Sequence, residues 1–78
     1  MPSFKTMLID IARSIVEYPD EVRVTETVDG DNITLVLSVA ESDMGKVIGR
    51  NGRIARAIRL LIKASANNAG KRVNVEIR

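Results

Sequence analysis

The 78-residue sequence contains no cysteine, no histidine and no tryptophan, and Phe4 and Tyr18 are its two aromatic residues. A chain without cysteine or histidine forms no disulfide and no thiolate or imidazole metal site, and it lacks a cysteine nucleophile and a histidine general base. We therefore expect no metal, no cofactor and no small-molecule substrate, and we predict that the protein is not an enzyme. The scarcity of aromatic residues restricts the core to aliphatic side chains, which favours one layer of helices against one sheet.

Long apolar segments are absent as well. The apolar residues between positions 4 and 16 are interrupted by Lys5, Asp10 and Arg13, so this segment does not resemble a signal peptide. No other stretch approaches the ~18 residues that a membrane span requires. We expect a soluble cytoplasmic protein without membrane contact, folded as a single domain over residues 1–78 because a chain of this length has room for one hydrophobic core.

The formal net charge of +2 conceals an uneven distribution of charge along the chain. Residues 1–44 carry a net charge of −6, whereas residues 45–78 carry +8. The cations of the segment 45–63, which contains no acid, are Lys46, Arg50, Arg53, Arg56, Arg59 and Lys63. A basic run of this kind is typical of a surface that binds a polyanion, and a solvated helix face is the alternative interpretation.

Hydrophobic periodicity predicts the element order helix, strand, strand, helix, helix, strand. The expected elements are a helix over 3–17, strands over 22–28 and 33–39, a short helix over 43–48, a helix over 52–67 and a strand over 73–77. Ser3 is the expected N-cap of the first helix and Pro19 follows its end, while Ser42 or Asp43 is expected to cap the short helix. Glu26 interrupts the alternation of the first strand, as expected of an edge strand.

These elements predict an α+β fold with a three-stranded mixed sheet covered on one face by three helices. The first two strands form an antiparallel hairpin. The two helices that follow the second strand are long enough to bring the third strand beside it in parallel, which places the strand over 33–39 in the centre. Along the helix over 52–67, the expected buried positions are Ile54, Ala57, Ile58, Leu61, Ile62 and Ser65.

Three glycines lie within the eight residues from Gly45 to Gly52, between two predicted helices. Gly49 is expected to leave the short helix in a left-handed conformation, and Gly52 allows a ligand to approach the start of the next helix closely. The free N–H groups at that helix start favour a phosphate. The spacing fits neither the Walker phosphate loop nor the dinucleotide-binding fingerprint. An ordinary helical hairpin that uses glycine as a stop is the alternative for this motif alone.

The segment "VIGRNGRIARAIR" within the αββααβ order resembles the signature of type II KH domains, and the whole chain resembles the KhpA family of small bacterial single-KH-domain RNA-binding proteins. The resemblance implies that the loop Gly49, Arg50, Asn51 and Gly52 clamps the backbone of about four nucleotides of single-stranded RNA. It also implies that the flanking cations Lys46 and Arg53 meet phosphates, and Arg56 is a further expected RNA-binding residue.

The apolar residues beside this loop have two interpretations. Val47, Ile48 and Ile54 match family positions that line the nucleotide groove or support it from the core, with Ile48 expected as the supporting residue, and plain core packing is the alternative for each. No aromatic side chain lies near the loop in the sequence, so base stacking is weak and little sequence preference is expected.

Leu60 lies among the arginines of the last helix, where it is either a solitary surface residue or part of a contact with a second subunit to which Leu61 contributes. The family resemblance implies a homodimer, pairing with a larger KhpB (Jag or EloR)-like protein, and a link to cell elongation and division, that is, to cell shape regulation. Two functions follow as hypotheses. The first is a non-catalytic RNA chaperone or post-transcriptional regulator, and the second is a dimerising protein-interaction module in which RNA contact is secondary.

Overall fold

The computed structural model describes residues 3–78, and its helices and strands follow the predicted order αββααβ. The elements are α1 (Phe4–Ile15), β1 (Arg23–Asp29), β2 (Asn32–Ser38), α2 (Met44–Ile48), α3 (Arg53–Asn68) and β3 (Arg72–Ile77). Short 3₁₀ turns at Pro19–Glu21, Glu41–Asp43 and Arg50–Gly52, which periodicity does not predict, connect them.

The first helix begins directly after its N-cap residue, Ser3. The hydroxyl of Ser3 accepts a hydrogen bond from the backbone N–H of Thr6 at 3.1 Å, which confirms the predicted N-cap. The helix ends at Ile15, two residues before the predicted end, because the chain turns to an extended conformation at Val16. Leu8 and Ala12, one turn apart on the same face, are its fully buried residues.

The sheet has the order β1-β2-β3, with β1 antiparallel and β3 parallel to β2. Both the central position of β2 and the edge position of β1 are therefore confirmed. Leu35 in β2 lies opposite Glu26 in β1 and Val75 in β3. The helices do not cover the outer part of β1, so Glu26 is exposed and Val28 is 59% exposed, and Val24 is the one buried residue of the strand.

The core lies between one face of the sheet and the three helices, and its largest fully buried apolar residues are Leu8, Leu35, Leu37, Val47 and Ile62. α3 faces the core with Ala55, Ile58, Ile62 and Ala66. The predicted buried face is therefore wrong in part, since Ile54, Ala57 and Leu61 are exposed. Alanine at both ends of the buried face lets the helix pack closely on the sheet, and this turns the bulkier residues outward.

Candidate nucleic-acid interface

The loop between α2 and α3 consists of backbone conformations that few residues adopt. Gly49 has φ +75° and ψ 174°, so the predicted positive φ is present, but the conformation is extended rather than left-handed helical and is essentially restricted to glycine. Asn51 (φ 57°, ψ 25°) and Gly52 (φ 73°, ψ 17°) provide the left-handed turn. Asparagine tolerates this region better than other non-glycine residues, because its short side chain can hydrogen-bond locally.

Three backbone hydrogen bonds hold the loop in place. Gly49 N donates to Gly45 O at 2.8 Å, Gly52 N donates to Gly49 O at 3.1 Å, and Arg53 N donates to Arg50 O. Within residues 3–78, the N–H groups of Arg50 and Asn51 donate to no backbone carbonyl. The loop therefore presents two adjacent backbone donors at the start of a helix, an arrangement that suits a phosphate oxygen.

Gly49 also lies against the side chain of Ile54. A Cβ atom at position 49 would be 2.6 Å from Ile54 Cγ1 and 3.0 Å from Ile54 Cβ, too close for any side chain. At Gly52 no atom lies within 4 Å of such a Cβ, so only the positive φ favours glycine there. Ile54 thus packs on the loop from the first turn of α3 and helps to fix its path.

The three apolar residues beside the loop differ in burial. Val47 is 0% exposed and belongs to the core, whereas Ile48 is 38% and Ile54 39% exposed. The expectation that Ile48 is the supporting residue is therefore wrong, and Val47 takes that part. Since α2 has a single turn, it directs one side chain into the core and leaves the next one half exposed. Val47 has no surface to offer a ligand.

The cations of the basic segment are not equally free to bind a ligand. Among the residues that the structure describes, the side chains of Arg50, Arg53 and Arg56 form no ion pair or hydrogen bond. Lys46 Nζ lies 3.4 Å from Glu17 Oε2 and 3.7 Å from Asp43 Oδ1. Its charge is partly balanced by these acids.

A further cation, Arg59, is used within the fold. Its Nε donates a hydrogen bond to the backbone carbonyl of Val75 at 3.1 Å, which ties α3 to β3. Of the six cations of the basic segment, Lys46 and Arg59 thus have partners inside the protein, the three arginines beside the loop are free to meet phosphates, and Lys63 lies farther along α3.

Asp43 is a buried charged residue at the core, although the sequence predicts it, or Ser42, as the N-cap of the short helix. Its carboxylate accepts hydrogen bonds from the backbone N–H groups of Glu17 and Tyr18, both at 3.0 Å, and makes no capping bond to α2. The predicted capping role is wrong, because each carboxylate oxygen accepts one of those two bonds instead. Asp43 instead fixes the chain after α1 to the start of α2, on which the loop is built.

The environment of Asp43 favours its ionised form. Burial raises the pKa of this carboxyl, but the N–H donors of Glu17 and Tyr18 and the ammonium group of Lys46 outweigh that effect, so the pKa lies below its ordinary value. Asp43 is consequently an anion under all physiological conditions.

The outer surface of α3 carries an exposed group of apolar residues, here called the α3 apolar strip: Ile54, Ala57, Leu60 and Leu61. Leu60 is 67% and Leu61 57% exposed. A depression of about 250 Å³, lined by Arg53, Arg56, Ala57 and Leu60, lies where this strip meets the basic side of the helix. Leucines that lose so little surface on folding are candidates for contact with another protein chain.

The described part of the chain offers neither a cluster of metal ligands nor a membrane-spanning helix. No three acidic or metal-binding side chains come together there in a way that could hold a metal ion. No helix between residues 3 and 78 is long and apolar enough to cross a membrane.

Comparison with known proteins places the chain in a family. The model of the KH domain of KhpA/KhpB matches residues 5–77. "RNA-binding protein KhpA" from Clostridium acetobutylicum is 56% identical over 73 residues, which cover 94% of this chain and 97% of that protein. The protein of the same name from Halalkalibacterium halodurans is 45% identical over 73 residues, covering 94% of this chain and 96% of the relative.

A solved structure shows the same fold at much lower sequence identity. Era, in its complex with MgGDPNP and nucleotides 1506–1542 of 16S ribosomal RNA, matches with a TM-score of 0.70 and 19% identity over 95% of this chain and 28% of the Era chain. The match is therefore to less than a third of Era and concerns the fold, which is that of a type II KH domain. Together with the family match, this fold shows that the chain belongs to the KhpA/KhpB family of KH-domain proteins.

Proposed function

We propose that the protein binds single-stranded RNA without catalysis, holds its backbone in the loop Gly49–Gly52, and acts as an RNA chaperone or post-transcriptional regulator. The observation that carries this proposal is the pair of free backbone N–H groups at Arg50 and Asn51, flanked by the unpaired guanidinium groups of Arg50, Arg53 and Arg56. RNA binding is supported by the name of the relatives, and the KH domain is a family of RNA-binding modules rather than of enzymes.

The chemistry of the loop favours the RNA backbone over the bases. Two neighbouring N–H donors and the positive end of the α3 dipole stabilise a phosphate, and the arginines add mobile charges around it. Ile48 and Ile54, each more than a third exposed, offer apolar contact to a base beside that phosphate. With no aromatic side chain at the loop, stacking contributes little, and the loop alone is expected to bind RNA weakly and with little preference for sequence.

Replacing Arg50 and Asn51 together by Asp tests the loop assignment. The two anions repel phosphate, so we expect RNA affinity to fall about tenfold or more. The substitutions lie outside α2 and α3, so the circular dichroism spectrum should not change. The matched control is Arg13→Asp with Asn68→Asp, which makes the same two exchanges away from the loop and is expected to lose far less affinity. Equal losses in both variants would show that general charge, not the loop, holds RNA.

A salt titration provides an independent readout for the same pair of variants. Two to four neutralised phosphates on a single strand correspond to a slope of log affinity against log salt of about −1.4 to −2.8. The loop variant should have a shallower slope than the control, since each lost phosphate contact lowers its magnitude by about 0.7.

A second function, as a dimerising protein-interaction module, is favoured by the α3 apolar strip. Leu60 and Leu61, each more than half exposed, lie in the middle of the helix whose N-terminal end adjoins the loop. We propose that this strip joins two copies of the chain or docks a KhpB (Jag or EloR)-like partner. Pairing would place two loops on one RNA, which raises the effective affinity of two weak contacts without new ones.

Replacing Leu60 and Leu61 by Asp is expected to convert a dimer to a monomer in sedimentation experiments, because burying the two carboxylates in an apolar contact is unfavourable. Val28→Asp, a change at an exposed apolar residue of β1, is the control and should leave the mass unchanged. A monomeric wild-type protein that also fails to bind a KhpB-like partner would contradict the interaction module.

A further inference from the structure

The register of the sheet shows which backbone groups of β1 have no partner in β2. Arg78 N donates to Leu37 O at 2.8 Å, so the odd-numbered residues of β2 direct their backbone groups to β3. Because backbone groups alternate sides along a strand, the even-numbered residues of β2 face β1. Their partners there are the odd-numbered residues of β1. The N–H and C=O groups of Val24, Glu26 and Val28 therefore point to the outer edge.

The two outer strands of the sheet, β1 and β3, differ in how their edges are occupied. At β3, which packs beside α3, the guanidinium of Arg59 binds the Val75 carbonyl in the middle of the edge. At β1, no loop, cap or side chain within residues 3–78 forms a hydrogen bond with the outer backbone groups. The edge of β1 is therefore open to pairing with an extended segment.

The side chains along this edge favour a partner strand of a particular composition. Glu26 and Val28 point to the side of the sheet that carries the helices, since both lie opposite buried residues of β2. The helices do not reach this far, and Val28 is 59% exposed. An added strand would place one side chain beside Glu26 and another, two residues away, beside Val28. A cation suits the first position and an apolar side chain suits the second.

The segment that contains this edge is acidic. Within residues 19–29, four carboxylates form no ion pair in the described part of the chain: Asp20, Glu21, Glu26 and Asp29. Arg23 is the single cation of the segment, so four acids against one cation leave a net charge of −3. This charge repels RNA, and a second copy paired through the same edge would bring like charges together. A basic segment of another protein is attracted instead.

We propose that the outer edge of β1 binds an extended basic segment of another protein, which joins the sheet as a fourth strand. The backbone groups of Val24, Glu26 and Val28 provide the hydrogen bonds, over a length of about 14 Å. The bound segment carries Lys or Arg beside Glu26 and, two positions away, an apolar residue beside Val28. This interaction goes beyond the proposed function, because it uses no residue of the loop or of α3.

A labelled, capped heptapeptide of sequence Thr-Lys-Thr-Val-Thr-Lys-Thr tests the proposal in a fluorescence anisotropy titration of the whole chain. Its Lys and Val side chains share one face, and its palindromic sequence fits either strand direction. We expect saturable binding, and the same peptide with Glu in place of Lys should bind at least about tenfold more weakly. Two further peptides carry N-methyl groups on alternate residues, in one frame or the other. Strand pairing requires that one frame binds and the other does not.

Amide hydrogen exchange locates the contact on the protein. In the free protein, the N–H groups of Glu26 and Val28 should exchange faster than those of Thr25 and Thr27, which face β2. With the peptide at about ten times its Kd, exchange at Glu26 and Val28 should slow about tenfold. Exchange at Asn51 in the loop should not change.

Val28→Pro removes a donor from the outer edge and leaves the bonds between β1 and β2 in place, as proline at an edge strand permits. We expect peptide affinity to fall about tenfold or more, while RNA affinity, measured without peptide, stays at the wild-type value. Thr27→Pro is the comparison for folding. It should destabilise the protein far more, since the Thr27 N–H faces β2.

Charge reversal provides a second variant that does not depend on proline. Glu26→Lys with Asp29→Lys should reverse the preference, so that the Glu peptide binds more tightly than the Lys peptide. Asp10→Lys with Glu41→Lys makes the same exchanges at exposed positions outside β1 and should keep the preference for the Lys peptide. All four replaced residues are exposed, so neither variant is expected to impair folding.

Three results would overturn the inference. The first is the absence of saturable binding of the Lys peptide at up to about 1 mM. The second is equal binding of the two N-methylated peptides, which would show attraction by charge without strand pairing. The third is a dimer of the wild-type chain that Val28→Pro converts to a monomer, because a second copy would then occupy the edge.

Discussion

Gly49→Ala is expected to destabilise the protein by about 2–6 kcal/mol, because the new Cβ brings two costs of about 1–3 kcal/mol each. The first is the backbone conformation, φ +75° with ψ 174°, which a residue with a Cβ scarcely adopts. The second is overlap with Ile54, whose Cγ1 lies 2.6 Å from the position of the new Cβ. Relief requires Ile54 to move, and a shift of the first turn of α3, which carries it, would also displace the N–H groups that we assign to phosphate binding.

The measurement is thermal unfolding of the wild type and three glycine variants. At about 4–8 °C per kcal/mol for a domain of this size, Gly49→Ala should lower Tm by about 10 °C or more. Gly52→Ala should lose less, since it meets strain but no overlap. Gly45→Ala is the matched control, because Gly45 is helical and has open space around it, and it should be neutral or stabilising by up to about 1 kcal/mol. Equal stability of the Gly49 and Gly45 variants would contradict this account of the loop.

Asp43→Ala is expected to have a comparable effect from a different cause. The substitution removes both acceptors from the N–H groups of Glu17 and Tyr18, and a partly buried donor without a partner costs about 1–3 kcal/mol. It also removes the anion beside Lys46. We expect a loss of at least about 2 kcal/mol in urea unfolding. Replacement of the exposed neighbour Glu41 by Ala, the control, should change stability little.

The acid dependence of stability checks the same interaction. Because the pKa of Asp43 is lowered in the folded protein, its contribution is fully present above the pKa of the unfolded chain, about 3.9 for Asp, and is lost as the pH falls through the lower folded-state pKa. The difference in stability between the wild type and Asp43→Asn should therefore be constant near neutral pH and shrink below about pH 4. A constant difference down to pH 2 would contradict the assignment.

The order of elements and the sheet topology could be predicted because each segment carries its own periodicity. The two helices between β2 and β3 leave parallel pairing as the natural arrangement, and the structure has it. The loop could be located for a similar reason, since closely spaced glycines between two helices are a local signal. Ser3 is likewise a local signal, since its hydroxyl meets an N–H three residues away.

What periodicity could not decide is which side of a helix faces the core. α2 has one turn, so Val47 and Ile48 are equally good core candidates until the neighbouring elements are placed. α3 carries more apolar residues than the core accepts, and the small residues Ala55 and Ala66, rather than Leu61, settle its rotation. Burial of this kind depends on distant packing, which sequence spacing does not contain.

Contacts between residues far apart in the sequence could not be predicted from sequence spacing either. Asp43 and its donors are separated by 25 and 26 residues, and a local rule for helix capping therefore assigned it to the wrong partner. The pairing of Lys46 with Glu17 spans 29 residues, so Lys46 looks like a free cation in the sequence. The acidic first half of the chain is in this way used partly to hold the basic second half in place.

The hydrogen bond from Arg59 to the Val75 carbonyl also affects what can pair with the outer edge of the sheet. β3 is an outer strand of the sheet, and its unpaired backbone groups offer a template on which an extended segment of another chain could assemble. A guanidinium bound to the middle of that edge occupies one acceptor and places a charge where an incoming strand would lie. We therefore expect Arg59 to hinder the pairing of another chain along the outer edge of β3.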